Sequence, residues 1–454
     1  MTKTDCLFIH VPQLREHNLK GFSLFINYIA IGVFSMCNEL NKNKINTQII
    51  HLGVEKSLDA DFDIAKYVKK NKIKMVGMSL HWHYQTYDTL EVARAIKEQN
   101  PDTFIFLGGI MSSAFAQDIL KEFPFIDGVI KGEGEKSVVE LGKKILSGDN
   151  NLASVSNLYW RKDGKIKKNK KIWFADEDEL NSYSFDGLEF LKNYKQYLKF
   201  PFIYKYDSSK PELKDNTSQK TSLVCCLGRG CPGNCTWCGG GFNAMKHITG
   251  RDKITLRDPK IVAKEFINLR KKYNLDSYYI CFDPFPNNQD YLFELFDILG
   301  TQMPNEINIL FECFGLPSKE FIDSFKKNLG KDSQIIISPE FGSEELRNKH
   351  RTFTFSNDDL IKCIEYLTQN EVKAMIYFAN LPFETEEEHE ETRKFINKIA
   401  IGMKSPYIDV VQQTIKDVEP YSPWALNPEK YGITVKLKTI NDYVKNSKGY
   451  RDLT

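Results

Sequence analysis

Cys231-Pro232-Gly233-Asn234-Cys235-Thr236-Trp237-Cys238 sets three thiols at C-x3-C-x2-C spacing, just after the strand-like run 222–226. Three thiolates this close in one loop can hold three corners of an iron–sulfur cube and leave the fourth iron without a protein ligand. An open iron is what a chelating co-substrate needs. Glycines crowd both flanks (228, 230, 239, 240, 241), so the backbone can wrap a bulky cluster and turn N–H groups towards its sulfurs. The competing reading is structural zinc, with Cys225 or Cys226 as fourth ligand. Zinc sites usually pair C-x2-C knuckles, and this stretch does not.

Downstream, strand-like runs recur near 277–282, 307–313, 333–338, 372–378 and 407–413, with amphipathic helical stretches between them. With 222–226 they make about six βα units. Six units cannot close an eight-stranded barrel, so an open, partial (β/α)6 barrel is expected over 221–420. Upstream, Cys6–His10, Thr47–Leu52, Met75–Ser79, Phe104–Leu107 and Gly128–Ile130 alternate with helical stretches. That pattern predicts an α/β domain over 1–148, Rossmann-like, with a five-stranded parallel sheet. Ligands of such sheets bind beyond the strands' carboxyl ends. Residues 149–220 read as a hairpin turning at Asp163-Gly164, followed by a polar linker from Asp207 to Lys220. The basic run Lys165–Lys171 is read as a solvated hairpin edge. Residues 421–454 form a C-terminal segment.

The 454 residues suffice for at least two cores. Lys+Arg 62 against Asp+Glu 60 gives net +2, so no global field recruits nucleic acid or an anionic membrane. No apolar run approaches a membrane span, and the first residues lack the pattern of a signal peptide; the expected location is the cytoplasm. Ten cysteines there argue against a disulfide framework. Five of them lie between 225 and 238. The others (Cys6, Cys37, Cys281, Cys313, Cys363) are scattered in apolar surroundings and are expected to act as small hydrophobes.

The cysteine spacing, with an aromatic residue directly before the third thiol, resembles the radical S-adenosylmethionine (SAM) superfamily. Further segments match at the expected strand ends: Ile280-Cys-Phe-Asp-Pro-Phe285, Ser338-Pro-Glu-Phe-Gly-Ser-Glu-Glu-Leu-Arg347, and Ala379-Asn-Leu-Pro-Phe-Glu-Thr385. In the last, Phe383 stands where glycine is commoner. The first domain resembles the cobalamin-binding domain fused to many radical SAM proteins, through the ordered series Val76–Ser79, Phe106–Ile110 and Ile126–Glu135. Tyr421–Gly432 resembles the segment that closes the radical SAM domain in this subfamily. The likeness runs from about residue 5 to 445.

This resemblance implies a [4Fe–4S] cluster on Cys231, Cys235 and Cys238, together with SAM and cobalamin. It implies SAM contacts at Trp237, Phe282, Asp283, Glu340, Arg347 and Pro382, with Glu340 for ribose hydroxyls and Arg347 for the carboxylate. It implies cobalamin contacts at Gln13, Arg15, Ser79, Leu80, Gly108, Gly109, Gly132, Glu133 and Gly134. The implied chemistry is reductive cleavage of SAM to a 5′-deoxyadenosyl radical and methylation of an unactivated carbon or phosphorus. The hard steps belong to the cofactors. A small-molecule or peptide substrate and an electron donor such as flavodoxin or ferredoxin are the expected partners. A non-methylating rearrangement or cyclisation stays open, as does a non-catalytic cobalamin sensor. A methylthiotransferase needs three cysteines in the first domain, and only Cys6 and Cys37 are present.

Two departures bear on cobalt. Met111 stands where many relatives carry His or a small residue, and the D-x-H-x-x-G motif is absent. Without that motif the loop Val11–His17 is expected under the metal, with Gln13, Leu14 or Arg15 facing it and His17 as the competing ligand; His10 is also nearby. In His81-Trp82-His83 adjacent imidazoles need not converge, and packing is the expected role.

Overall fold

The computed structural model describes residues 3–17, 21–25, 28–199, 222–284, 289–381, 383–414 and 418–452. The expected linker 207–220 and Pro382 lie outside them. The chain divides into two compact units. The first combines Met1–Thr221, Lys246–Arg251 and Lys436–Thr454; the second combines Ser222–Met245 and Asp252–Val435.

In the first unit the strands are β1 (Cys6–His10), β2 (Gln13–His17), β3 (Gly21–Phe25), β4 (Thr47–His51), β5 (Met75–Ser79), β6 (Phe104–Gly108), β7 (Gly128–Ile130), β8 (Leu158–Lys162) and β9 (Lys165–Lys168). Among the described residues, the main sheet runs in the order β4-β1-β5-β6-β7-β8-β9. Its first five members are parallel, as expected. The hairpin adds two antiparallel strands to that sheet rather than standing apart from it. Asp163 and Gly164 both take positive φ at its turn, which suits the right-handed twist of the paired strands.

Both faces of the central strands are covered, so they read as continuous apolar runs; Cys6, Leu7, Phe8 and Ile9 are all buried. Helices supply the cover. Asp63 starts Ile64–Asn71 by accepting from the Ala65 and Lys66 N–H groups at 2.9 and 3.0 Å. The C-terminal helix Ile440–Asp452 adds Ile440 and Tyr443 to the same core as Val76, Met78, Ile105 and Leu107. The segment 13–17, expected as a loop, is a strand pairing antiparallel with Gly21–Phe25.

In the second unit the strands are β10 (Leu223–Val224), β11 (Gly228–Arg229), β12 (Thr255–Leu256), β13 (Ser277–Ile280), β14 (Asn308–Cys313), β15 (Gln334–Glu340), β16 (Lys373–Asn380) and β17 (Ile408–Thr414). Among the described residues, six of them form one parallel sheet in the order β10-β13-β14-β15-β16-β17. Sequential parallel order with a helix after each strand is the open barrel that the sequence predicts. β11 and β12 make a short antiparallel ribbon leading into and out of the cysteine loop. Thr385 ends the Ala379–Thr385 turn by opening Glu386–Asn397: its hydroxyl accepts from Glu388 N at 3.2 Å, and Glu388 accepts from Thr385 N at 2.7 Å. Among the described residues no helix is long and apolar enough to cross a membrane.

Candidate cofactor sites

The cysteine loop is tied down on several sides within the second unit. Thr236 N–H donates to the His350 carbonyl at 3.0 Å, and the Thr236 hydroxyl pairs with His350 Nδ1 at 2.9 Å. Asn234 N–H donates to Thr352 Oγ1 at 2.6 Å, Gly239 N–H to Glu419 Oε2 at 2.6 Å, and Trp424 N–H to the Thr236 carbonyl at 2.9 Å. Trp237 packs edge-on against Phe341 and leans on Trp424, with centroids at 5.9 and 6.2 Å. Those partners belong to a small apolar cluster with Leu346 and Leu381. None of these braces has a periodic signal in sequence. The likeness of Tyr421–Gly432 to a closing segment was the one hint of Trp424.

The three thiols share one electrostatic neighbourhood. Burial pushes the Cys231 thiol up; the Gly233 N–H opposes that at 3.4 Å, and Cys235 and Asp283 add to it. Burial also pushes Cys238 up, with Glu419, Cys235 and Cys231 adding and the Gly240 N–H opposing at 3.3 Å. Amides aimed at two of the sulfurs, with the thiols within electrostatic reach of one another, are the chemistry an iron–sulfur cube uses, although among the described residues the three thiols are not gathered into a metal-holding group. Cys225 belongs elsewhere. Its N–H extends the β10–β13 ladder to the Tyr279 carbonyl at 2.9 Å, and its charged neighbours are Glu265, Cys226, Arg257 and Cys281. Cys226 points its thiol at the Gly228 carbonyl, 3.5 Å away. Cys281 is exposed, which corrects the apolar surroundings expected for it as a small hydrophobe; Cys6, Cys37, Cys313 and Cys363 are buried.

Around the expected SAM contacts, Phe282 is half-buried, and Asp283 is buried, accepting from Phe314 N at 3.0 Å. Glu340 sits at a register shift of β15 with φ +63, a left-handed conformation that costs a glutamate of order 1–3 kcal/mol. Burial pushes its carboxyl up to about 7, with Arg351 opposing and Glu312 adding. Arg347 is fully buried. It donates to the carbonyls of Pro339 (3.3 Å), Phe355 (2.7 Å) and Phe341 (2.6 Å) and to Asn357 Oδ1 (2.8 Å). Its guanidinium therefore braces the turn after β15. Arg351, one turn on, sends Nη2 to the Phe314 carbonyl at 2.8 Å, while its Nε and Nη1 have no hydrogen-bond partner among the described residues.

In the first unit the expected cobalamin contacts gather at the carboxyl edge of the sheet. Ser79 pairs with Gly108 in register, and Leu80 N–H donates to the Gly108 carbonyl at 2.8 Å. A Cβ on Gly108 would meet no atom within 4 Å, so the space there is open. Gly109 differs: φ is +108, and a Cβ would lie 2.7 Å from the Leu80 carbonyl oxygen. The Gly132 N–H donates to Ser113 Oγ at 2.9 Å. At Gly134 a Cβ would press on the Met36 sulfur at 2.6 Å. Glu133 is buried, receiving Arg251 Nε at 2.8 Å and the Ala175 N–H at 3.0 Å. The open space at Gly108 lies at the carboxyl end of β6, the edge at which ligands of such sheets bind, one strand beyond the β1/β5 point where the strand order reverses. His10 and His51 lie side by side there, with ring centroids 4.8 Å apart, and burial with His10 nearby lowers His81 to about 4. His81 rests on Trp82, and His83 on Tyr84 and Tyr443. The side chains of Gln13, Leu14, Arg15 and His17 lie outside the described ones.

Residues 27–142 match the B12 binding domain family, and residues 226–396 match the Radical SAM superfamily. The chain is 27% identical over 251 residues to cytidylyl-2-hydroxyethylphosphonate methyltransferase of Streptomyces wedmorensis, covering 52% of this chain and 45% of that protein. It is 25% identical over 182 residues to the anaerobic magnesium-protoporphyrin IX monomethyl ester cyclase of Synechocystis sp. (strain PCC 6803), covering 40% and 30%. The chain thus spans less than half the length of these curated relatives. Its fold is similar to that of the radical SAM methyltransferase TsrM from Kitasatospora setae, solved with cobalamin and a [4Fe-4S] cluster bound: TM-score 0.65, 12% identity, 97% of this chain and 84% of that one. It is also similar to the cobalamin-dependent SAM radical enzyme OxsB, with TM-score 0.64, 15% identity, and 95% and 62% covered. With its B12-binding domain ahead of its radical SAM domain, the chain is a member of the cobalamin-binding radical SAM enzyme family, and its cofactors are cobalamin, SAM and a [4Fe–4S] cluster.

Proposed function

We propose that the protein is a cobalamin-dependent radical SAM methyltransferase acting on a carbon or phosphorus centre of a small molecule or peptide. The observation that carries this reading is the pairing of two domains in one chain, the one able to hold a methyl carrier and the other to make a radical. The likeness to a phosphonate methyltransferase supports it. Bound together, the cofactors supply reductive SAM cleavage and a transferable methyl group. Cys231, Cys235 and Cys238 hold the cluster. The Gly233 and Gly240 amides steady the charge on two of its thiolate ligands. Thr236, Asn234 and Gly239 fix the loop so that the thiolates do not move when a reductant binds. Trp237 and Phe282 wall the site against water, Glu340 meets ribose hydroxyls, and the cation for the SAM carboxylate is Arg351, since Arg347 is already committed. Ser79, Leu80, Gly108 and Gly109 cradle cobalamin. A flavodoxin- or ferredoxin-type protein donates the electron.

A second reading, cyclisation without methylation, is supported by the likeness to the anaerobic cyclase. One experiment separates the two. The anaerobically reconstituted protein is reduced in the presence of SAM and candidate substrates, and products are resolved by mass spectrometry. S-adenosylhomocysteine alongside 5′-deoxyadenosine supports methyl transfer; 5′-deoxyadenosine alone supports the cyclase-type reaction. Neither product would end both readings.

A further inference from the structure

The inner face of the second unit's sheet carries a polar group that the assignments above leave unused. On β13, β14 and β16 the side chains alternate. One set is buried (Tyr278, Ile309, Phe311, Ile376), and the opposite set is partly exposed (Tyr279, Glu312, Tyr377). Tyr279 Oη donates to Glu312 Oε2 at 2.7 Å, which fixes that carboxylate and leaves its second oxygen to accept elsewhere. Burial raises the Glu312 carboxyl, while the Tyr279 hydroxyl and Arg351 lower it. Glu340 lies within electrostatic reach of Glu312, and Tyr377 within reach of both.

Arg351 is the cation that acts on both carboxylates. Its hydrogen bond goes to a backbone carbonyl rather than to either of them. Arg351, the cation proposed for the SAM carboxylate, is thus already outnumbered by Glu312 and Glu340, and Glu312, held through one oxygen by Tyr279, is the carboxylate left to meet a donor. A buried arrangement of this kind is satisfied by a guest that brings a positive nitrogen or an N–H donor. A substrate anion would add to the negative charge that the SAM carboxylate and the two glutamates already bring against the one guanidinium. The tyrosine rings offer an apolar wall for the rest of such a molecule.

We propose that Glu312, held in place by Tyr279, anchors a protonated amine or other N–H donor of the substrate, so that the protein acts on a nitrogen-bearing compound. The proposal rests on the reading of the barrel interior as the place where radical chemistry meets substrate.

The test uses the full chain, anaerobically reconstituted with cluster and SAM, and three probes of one shape: 2-phenylethylamine, 2-phenylethanol and phenylacetate. Equilibrium dialysis reads their binding. The expected order is amine at least tenfold over alcohol, with the acetate weakest. Glu312→Gln should erase the amine's advantage at unchanged iron and sulfide content. Tyr279→Phe removes a single hydroxyl and should reduce the advantage several-fold, which serves as the test if Glu312→Gln fails to fold. Equal binding of the three probes, preference for the acetate, no amine binding, or an amine advantage that survives in the variants would overturn the proposal. SAM cleavage by the wild type without any probe is measured in parallel. Its absence would sink the radical reading while leaving the probe order to be judged on its own.

Discussion

Arg347 and Arg351 stand one helical turn apart, the Arg351 N–H donating to the Arg347 carbonyl at 2.9 Å, yet their guanidinium groups do different work. Arg347 is sealed against three carbonyls and Asn357; among the described residues two nitrogens of Arg351 have no partner. Replacing Arg347 with Ala should strand those acceptors in a dry site and destabilise the fold by about 3 kcal/mol or more. Replacing Arg351 with Ala should leave a folded, cluster-loaded protein that binds SAM roughly tenfold more weakly, the loss of one charge-assisted hydrogen bond. Urea titration and SAM binding by dialysis check the pair. Equal stability of the two variants would contradict this division.

Cys231→Ala, Cys235→Ala and Cys238→Ala should each abolish the visible absorbance of the reconstituted protein. Cys225→Ala and Cys226→Ala should keep it, because those thiols answer to other neighbours. Iron and sulfide analysis decides the matter. Zinc in place of iron, with Cys225 or Cys226 required, would remove the basis for the enzyme reading.

Cobalamin content offers a cleaner probe at Gly108 than at Gly109. A side chain at Gly109 collides with the Leu80 backbone at a positive φ, so loss of cobalamin there would mix strain with lost space. Gly108→Phe adds bulk where nothing lies within 4 Å. It should lower bound cobalamin at least tenfold while iron content stays at the wild-type level. Full cobalamin in a folded Gly108→Phe would move the site away from this strand end.

Glu340 should make the apo-protein's stability depend on pH with a definite sign. Burial raises its folded-state value to about 7 from an ordinary 4.5, so between those values the folded chain holds more protons than the unfolded one. Stability from this group is therefore fully present below about 4.5 and falls as pH rises through about 7. The loss is of order 1–3 kcal/mol. Glu340→Gln should flatten that part of the profile relative to wild type in urea midpoints measured from pH 4.5 to 8. Parallel profiles would show that the carboxyl ionises freely.

The parallel strands were legible because buried parallel strands are short apolar runs, and Met75–Ser79 or Ile335–Ile337 can be read little other way. The cysteine loop was legible because thiolate spacing is local. What escaped was set by contacts between distant residues. Thr352 and Glu419 brace the loop from 118 and 180 residues away. The sealing of Arg347 depends on the carbonyls of Pro339, Phe341 and Phe355 and on Asn357, partners that no motif ties to an arginine. Glu312 gave no motif at all, since a single acid in an alternating strand looks like a solvent-facing one. Gly108 and Gly109 look equivalent in sequence, although only the second needs its missing side chain for backbone reasons.

The order of synthesis acquires a meaning from the way the first unit is assembled. Glu133 is made 118 residues before Arg251, its buried ion-pair partner, and Tyr443 joins the core that holds Val76. A ribosome halfway through this message therefore carries an unfinished first domain whose buried carboxylate still awaits its counter-charge. A truncated gene ending at residue 221 would leave it so permanently. The B12-binding half should be a poor candidate for expression alone and a natural client of chaperones until the last helix emerges.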